Sequence, residues 1–367
     1  MSPKVVILGA GYAGVSAATR LAKSDADVTV VNPRSEFVER IRLHQYVVGG
    51  HAAVVPLESV LPGAAITIGT AVAIEPQARR IRLDTNETLD YDYLIYAVGS
   101  DSRTHTIPGA GAHARTLGTL EDARITRHRL EELATGSVIT IVGGGLTGIE
   151  TAAELAESTR HSIRLVTDQQ LAPTVSDRGR RRIHGHLTSN GVEIHAYTPV
   201  VGIHSGRVEL ADGRSLASDL TILASTVGVP EVARASSLDT DSRGALTVHN
   251  TLVSSSDTAI VGAGDAATLT QSPLRMSCQA AIPSGIHAAE TVLHLIAARD
   301  PKEVRRKFAA QCISLGRKNA LFQSVNSYDT PRPRAVLTGR PAALIKEQLC
   351  SSTMWFGHRG PFSYSWS

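Results

Sequence analysis

The sequence predicts an α/β fold: two repeated units, each on an open parallel sheet, and a small α/β cap at the C-terminus. Three observations carry this expectation. The phrase "VVILGAGYAGVSAATRLA" (5–22) recurs in form as "VITIVGGGLTGIETAAELA" (138–156). The stretches 80–100 and 207–228 mirror each other as strand, turn, strand, Asp (Asp92, Asp219) and a final apolar strand ending near glycine. A third apolar strand, 258–261, delivers Gly264-Asp265 at its end. Units of about 100 residues that repeat in this way point to duplication.

Taken in order, Val5 to Leu8 are all apolar, as a parallel strand covered on both faces requires. Gly9, Gly11 and Gly14 then give the G-x-G-x-x-G spacing before a helix. The first glycine makes the tight turn, the second leaves bare backbone for a pyrophosphate, and the third lets helix and strand approach. The helix N-terminus receives the phosphate charge. A second strand, "DVTVVN", ends at Asn32, where an acidic residue would ordinarily meet a ribose. Asn can still hydrogen-bond a hydroxyl.

The second copy presents Gly143, Gly145 and Gly148, and its strand "IRLVTD" places Thr167 and Asp168 at the matching end. Both units therefore read as Rossmann-like dinucleotide-binding domains. Asp265, at a strand's carboxyl edge, points toward the ligand crevice, although alone it would fit a helix N-cap equally well.

Composition sets limits. The 367 residues are 42 % hydrophobic and 19 % charged with net charge +3, a globular balance that gives no basis for nucleic-acid binding. No run approaches the roughly 20 apolar residues of a membrane span. Met1 to Lys4 lead straight into a strand, so no secretory leader is expected. The three cysteines, Cys278, Cys312 and Cys350, show no CxxC or CxxxxC spacing and read as reduced thiols in a cytoplasmic setting. The fourteen histidines show no metal-ligand spacing, so no metal is expected.

Together, "GAGYAG", "IYAVGS", "GGGLTGIE" and "AIVGAGDAA", in this order, resemble the two-dinucleotide-binding-domain flavoproteins of the pyridine-nucleotide-disulfide oxidoreductase superfamily. Within it the chain is most similar to type II NADH dehydrogenases and to reductases like apoptosis-inducing factor. The resemblance covers residues 4–295. It implies an FAD-binding domain at 1–115 and 245–295, an NAD(P)H-binding domain at 116–244, and a C-terminal cap or interface segment at 296–367.

By resemblance, Gly9, Gly11 and Gly14 hold the FAD pyrophosphate and Asn32 its ribose. Gly99 lies near the flavin nucleotide, and Gly264-Asp265 meet the ribityl chain or flavin phosphate. Gly143, Gly145 and Gly148 hold the NAD(P)H pyrophosphate. Glu150, the glutamate of "GIE", lies near nicotinamide and flavin; it equally suits a first-turn acid favoured by the helix dipole. Arg40 and Arg42, in "FVERIRLHQ", sit where the family segment nears FAD, and their planar forks suit pyrophosphate oxygens; a solvated basic stretch is the plainer reading. His44 reads as a hydrogen-bonded structural histidine or as a tuner of the reduced flavin. Asp168 favours NADH over NADPH, because a carboxylate accepts ribose hydroxyls and repels a 2′-phosphate. Arg178, Arg180, Arg181 and Arg182 are the place where a 2′-phosphate would otherwise be met.

Departures from the family narrow the chemistry. The segment that carries a redox CxxxxC in disulfide reductases has no cysteine here, so dithiol chemistry is not expected. A sulfide:quinone cysteine pair is not matched either, and Cys278 reads as a small buried residue. In "CQAAIPSG", Gln279 fits the first glutamine of a quinone-site motif, whereas Ile282 replaces the second. Pro283 and Ser284 read as the opening of a helix.

The implied activity is hydride transfer from NAD(P)H to FAD, then electron delivery to a quinone or quinone-like small molecule. Alternatives are a reductase of a protein carrier such as ferredoxin, a tailoring oxidoreductase of specialised metabolism, and a non-catalytic NADH-sensing flavoprotein. Residues 299–346 carry eleven Lys/Arg against three Asp/Glu, and the tail 354–366 gathers Trp355, Phe356, Phe362, Tyr364 and Trp366. This segment reads as a cover over the acceptor pocket, a homodimer contact, a weak peripheral membrane contact, or a packed cap without a ligand.

Overall fold

The computed structural model describes residues 2–61, 63–102, 107–224, 227–270, 274–356 and 366, without the side chains of 227, 355 and 356. In the first unit, β1 (Lys4–Leu8), β2 (Asp27–Asn32), β3 (Ala65–Ile68) and β4 (Tyr93–Tyr96) form a parallel sheet. Strand β10 (Ile260–Gly262) returns from far along the chain to its edge, beyond β4. β1 lies at the centre, and its residues Val5 to Leu8 are buried. Helix α1 (Tyr12–Leu21) follows β1, and the short helix α2 is Leu43–Val47.

The second unit repeats the plan. β5 (Ala114–Thr116), β6 (Val138–Val142), β7 (Ser162–Val166), β8 (Glu193–His195) and β9 (Leu220–Leu223) form a parallel sheet in the order β5-β9-β6-β7-β8. Helix α3 (Leu146–Ser158) follows β6, and α4 (Asp177–Ser189) follows β7. The duplication reaches single hydrogen bonds. Asp92 accepts from the Lys4 N–H at 2.7 Å, and Asp219 accepts from the Val138 N–H at 2.8 Å, so each central strand is pinned at its start by the mirrored aspartate. The mirrored hairpins become antiparallel three-stranded sheets, spanning 71–90 and 200–217.

Residues 229–238 run with the second unit in the sequence reading, yet Val229, Ala233 and Leu238 pack into the first core. The Ser236 hydroxyl accepts from the Ile74 N–H at 2.8 Å. Helix α5 spans Cys278–Ile296 and starts earlier than the expected opening at Pro283. Ser277 caps it by accepting from the Ala280 N–H at 3.3 Å, and Pro283 lies inside. Pro283 is the sixth helical residue, so the helix forgoes the bond that an N–H there would make to the Gln279 carbonyl. α5 crosses α1 so closely that a Cβ on Gly285 would overlap the Ala13 backbone.

The cap is an antiparallel sheet of β11 (Ala310–Ser314), β12 (Ala320–Val325) and β13 (Pro331–Thr338), followed by α6 (Arg340–Phe356). Gln323 ties it to the second unit. Its Oε1 accepts from the Ser176 hydroxyl at 2.6 Å and N–H at 3.2 Å, and its Nε2 donates to the Arg332 and Ser324 carbonyls at 2.8 and 3.0 Å. Of the aromatic tail, Trp366 is buried with its ring 5.8 Å from that of Phe308. Phe362, Tyr364 and the side chains of Trp355 and Phe356 lie outside the described residues. Among the described residues no helix is long and apolar enough to cross a membrane.

Gln323 is fully buried and every polar atom is engaged, so Gln323→Leu strands the Ser176 groups and two carbonyls. We expect a loss of about 3 kcal/mol in unfolding free energy, measured by chemical denaturation.

Candidate functional site

The two glycine loops differ from ordinary turns in how each glycine is used. A Cβ on Gly14 would overlap the Gly9 carbonyl oxygen, and a Cβ on Gly148 would overlap that of Gly143. Gly9 and Gly143 adopt φ of +98° and +126°, the region that favours glycine. The middle glycines, Gly11 and Gly145, have nothing within 4 Å of where a Cβ would stand. Each loop is thus closed behind and open in front, at the N-terminus of α1 or α3. That shape fits a pyrophosphate approaching bare backbone.

At the first loop the structure brings Arg40, Gly99 and Asp265 together. Arg40 Nη1 donates to the Ser100 carbonyl at 2.7 Å and to its hydroxyl at 3.1 Å, and Ser100 Oγ donates to Asp265 Oδ2 at 2.9 Å. Burial pulls Arg40 below the usual arginine range, against the pull of Asp265 and Asp101. Gly264, at φ +67°, donates its N–H to Ser284 of α5 at 3.0 Å. Asn32 is turned inward: Oδ1 accepts from the Ala10 N–H at 3.0 Å and Nδ2 donates to the Arg34 carbonyl at 2.7 Å. It braces the loop from behind.

Arg42 leaves this group. Its guanidinium donates to Glu39 at 3.2 Å, to Gln45 at 3.1 Å and to both carboxylate oxygens of Glu347 at 3.1 and 2.6 Å. With its donors turned to these partners and its side chain only 4 % exposed, it is a bolt between the first unit and α6.

At the second loop Asp168 is exposed one residue past Thr167, whose side chain covers Gly144. Glu150, the fifth residue of α3 and so past the first turn where the sequence would have allowed it, is buried and reaches the cap. Its Oε1 accepts from the Ser314 N–H at 2.9 Å and from Lys346 Nζ at 2.7 Å, and its Oε2 lies 4.0 Å from His44 Nδ1. Lys346 also donates to the Cys312 carbonyl at 3.0 Å. Burial alone would raise Glu150, but Lys346, His44 and the Ser314 N–H hold it below the usual carboxylate range. Lys346 is raised: desolvation is the largest single influence and would lower it, but Glu150, Cys350 and Cys312 together outweigh it. His44 is pushed down to about 4 by burial, which outweighs Glu150. A cleft of about 400 Å³ lined by Gln45, Ser314, Arg317, Arg340, Lys346 and Glu347 borders this cluster.

The sequence reading picked out His44 and Glu150 but missed Lys346 and Ser314. Lys346 was one of many basic residues in its segment, and no local pattern sets it apart. Gln279 lies in the first turn of α5 and accepts from Arg275 at 3.4 Å; Arg275 is paired with Asp329 of the β12–β13 turn. Ile282, in place of a second glutamine, is buried. The thiols of Cys278 and Cys312 are pushed up to about 11 by burial, so they are protonated thiols rather than nucleophilic thiolates. Among the described residues no group of three His, Cys, Asp or Glu side chains is placed to hold a metal ion.

Comparison with known proteins agrees with this geometry. The profile of the pyridine nucleotide-disulphide oxidoreductase family matches residues 3–285. The chain belongs to that family. An NADH dehydrogenase-like protein of Mycobacterium tuberculosis is 28 % identical over 377 residues, covering 94 % of this chain and 92 % of its own. The type II NADH:quinone oxidoreductase of Staphylococcus aureus is 24 % identical over 383 residues, covering 94 % and 93 %. Among solved structures, the sulfide:quinone oxidoreductase of Aquifex aeolicus superposes with a TM-score of 0.85 at 19 % identity, covering 98 % of this chain and 93 % of that one. NDH2 of Plasmodium falciparum in complex with NADH gives 0.83 at 15 % identity, covering 97 % of both. These two structures bear on the fold alone. The chain is accordingly an oxidoreductase of two dinucleotide-binding units.

A buried histidine whose folded value lies below its unfolded one of about 6.5 keeps the folded state bound to fewer protons than the unfolded state. Its stability contribution is full above pH 6.5 and is lost as pH falls toward 4. We expect His44→Gln to flatten the stability–pH curve in that window by about 2–3 kcal/mol, read from urea unfolding at several pH values. An unchanged slope would mean His44 is solvated.

Proposed function

We propose that the chain is an FAD-dependent NADH dehydrogenase that delivers electrons to a quinone. The observation that carries this is the pair of glycine loops, each closed behind at Gly14 or Gly148 and open in front at Gly11 or Gly145. The quinone:oxidoreductase names of relatives aligned over nearly the whole chain support the acceptor. FAD, when bound, supplies a ring that takes two electrons from a nicotinamide and releases them to an acceptor.

The chain's own residues position, shield and hold charge. Gly9, Gly11 and Gly14 receive the FAD pyrophosphate on the α1 N-terminus, with Arg40 adding positive charge beside Gly99 and Asp265 hydrogen-bonding a hydroxyl or phosphate of the chain. Gly143, Gly145 and Gly148 do the same for NADH on α3, and the exposed Asp168 accepts its ribose hydroxyls. The Lys346 ammonium, kept protonated by its pairing with Glu150, holds a fixed positive charge beside the adjacent cleft. Gln279 stands on α5, where it would face the acceptor. The partly exposed thiols of Cys278 and Cys312, held protonated by desolvation, support electron delivery without a dithiol step.

The acceptor's source fits the cap. Leu337, Leu344, Ile345 and Leu349 are exposed on β13 and α6, beside exposed Arg332, Arg334 and Arg340. Exposed apolar and arginine side chains on the same two elements suit a weak peripheral contact with an anionic membrane.

In stopped-flow mixing, NADH should bleach the flavin absorbance of the purified holoprotein faster than NADPH, and menadione should restore it. If neither nucleotide bleaches the flavin, the proposal fails.

A further inference from the structure

The two dinucleotide units differ by one residue at the carboxyl edge of their sheets. In the first, Asn32 pairs in register with Ile68, and the next residue, Gly69, donates its N–H to the Asn32 carbonyl at 3.0 Å. This is ordinary parallel bonding. In the second, Val166 pairs with His195, which sets Thr167 opposite Ala196. The N–H of Tyr197 should then bond the Thr167 carbonyl. Thr198 does so instead, at 2.8 Å, while Tyr197 donates to the Gln169 carbonyl at 3.2 Å. The second unit therefore carries one extra residue here, and Tyr197 is that residue.

Tyr197 is bulged at φ +55° and is 72 % exposed. Left-handed backbone is unfavourable for an aromatic residue, and so is a large ring in water. Packing explains neither, because Tyr197 joins none of the hydrophobic clusters. A bulge re-aims a side chain, and such strain gathers at ligand sites.

Its place in the fold names the ligand group. The pyrophosphate end of the cradle is Gly145, after β6. Asp168, after β7, is the ribose end. β8 is the next strand outward, and Tyr197 follows it, hydrogen-bonded through its backbone to the 167–169 loop that carries Asp168. A dinucleotide laid across these ends in that order brings its base over the gap between β7 and β8. We infer that Tyr197 is the stacking platform for the adenine of NADH, an assignment that rests on reading the second cradle as the NADH site. A flat aromatic face recognises a purine by stacking, with no donor or acceptor required.

The test is calorimetric titration of the holoprotein with NAD⁺ and with ADP-ribose, which keeps the adenine and lacks the nicotinamide. Tyr197→Asn removes the ring while tolerating positive φ, and Tyr197→Ala removes it outright. Both should weaken both ligands about five-fold or more, the low end of base–aromatic stacking. Tyr197→Phe should stay within about two-fold of the parent, because stacking needs the ring and not the hydroxyl. A smaller loss in Tyr197→Asn, or an equal loss in Tyr197→Phe, overturns the role of Tyr197. A parent protein that binds neither ligand overturns instead the NADH reading of the cradle.

Discussion

A carbonyl oxygen pressed against a bare Cα, made twice, sets the geometry of this protein. Gly14 sits on the Gly9 carbonyl and Gly148 on that of Gly143, where any side chain would collide. That contact lets each helix start directly at the end of its central strand, so its free N–H groups face the crevice. The open front at Gly11 and Gly145 is the consequence. Sheet order, mirrored aspartate pins and the crossing of α1 by α5 all hold this approach in place.

The cap completes the molecule by supplying charges to buried partners. Adjacent residues of α6 face two ways: Lys346 meets Glu150 of the second unit, and Glu347 meets Arg42 of the first. Each charge taken from water is costly, and the pairing recovers that cost only if both partners stay in place. Such a pair of ion pairs favours one docking of α6 over others. It also places a fixed positive charge next to the cleft.

The duplicated units have diverged where their ligands would differ. Asn32 braces its loop from inside, whereas the matching Thr167 leaves that task to its neighbours and the following Asp168 is free to face solvent. Gly69 and Tyr197 occupy equivalent edges with opposite character, one bare and one aromatic. Neighbouring chemistry departs as well, since the three cysteines are free thiols raised by desolvation rather than paired for disulfide exchange.

The sequence by itself determined the two parallel sheets, their glycine loops and the returning strand before Asp265. These rest on short-range facts: an apolar run buried on both faces, glycine spacing at a strand end, and a repeated order of elements. The strand-end position named Asp265, and resemblance to the family named Glu150 and Arg40. Tertiary structure alone decided the rest. Lys346 and Ser314 reach Glu150 across more than 160 residues of chain, and Arg42 turns from a cofactor ligand into a bolt because Glu347 arrives beside it. The start of α5 followed its Ser277 cap rather than Pro283, and Tyr197 emerged only when two registers were compared. A long-range partner leaves no mark on local spacing; burial and electrostatics select it once the backbone has folded.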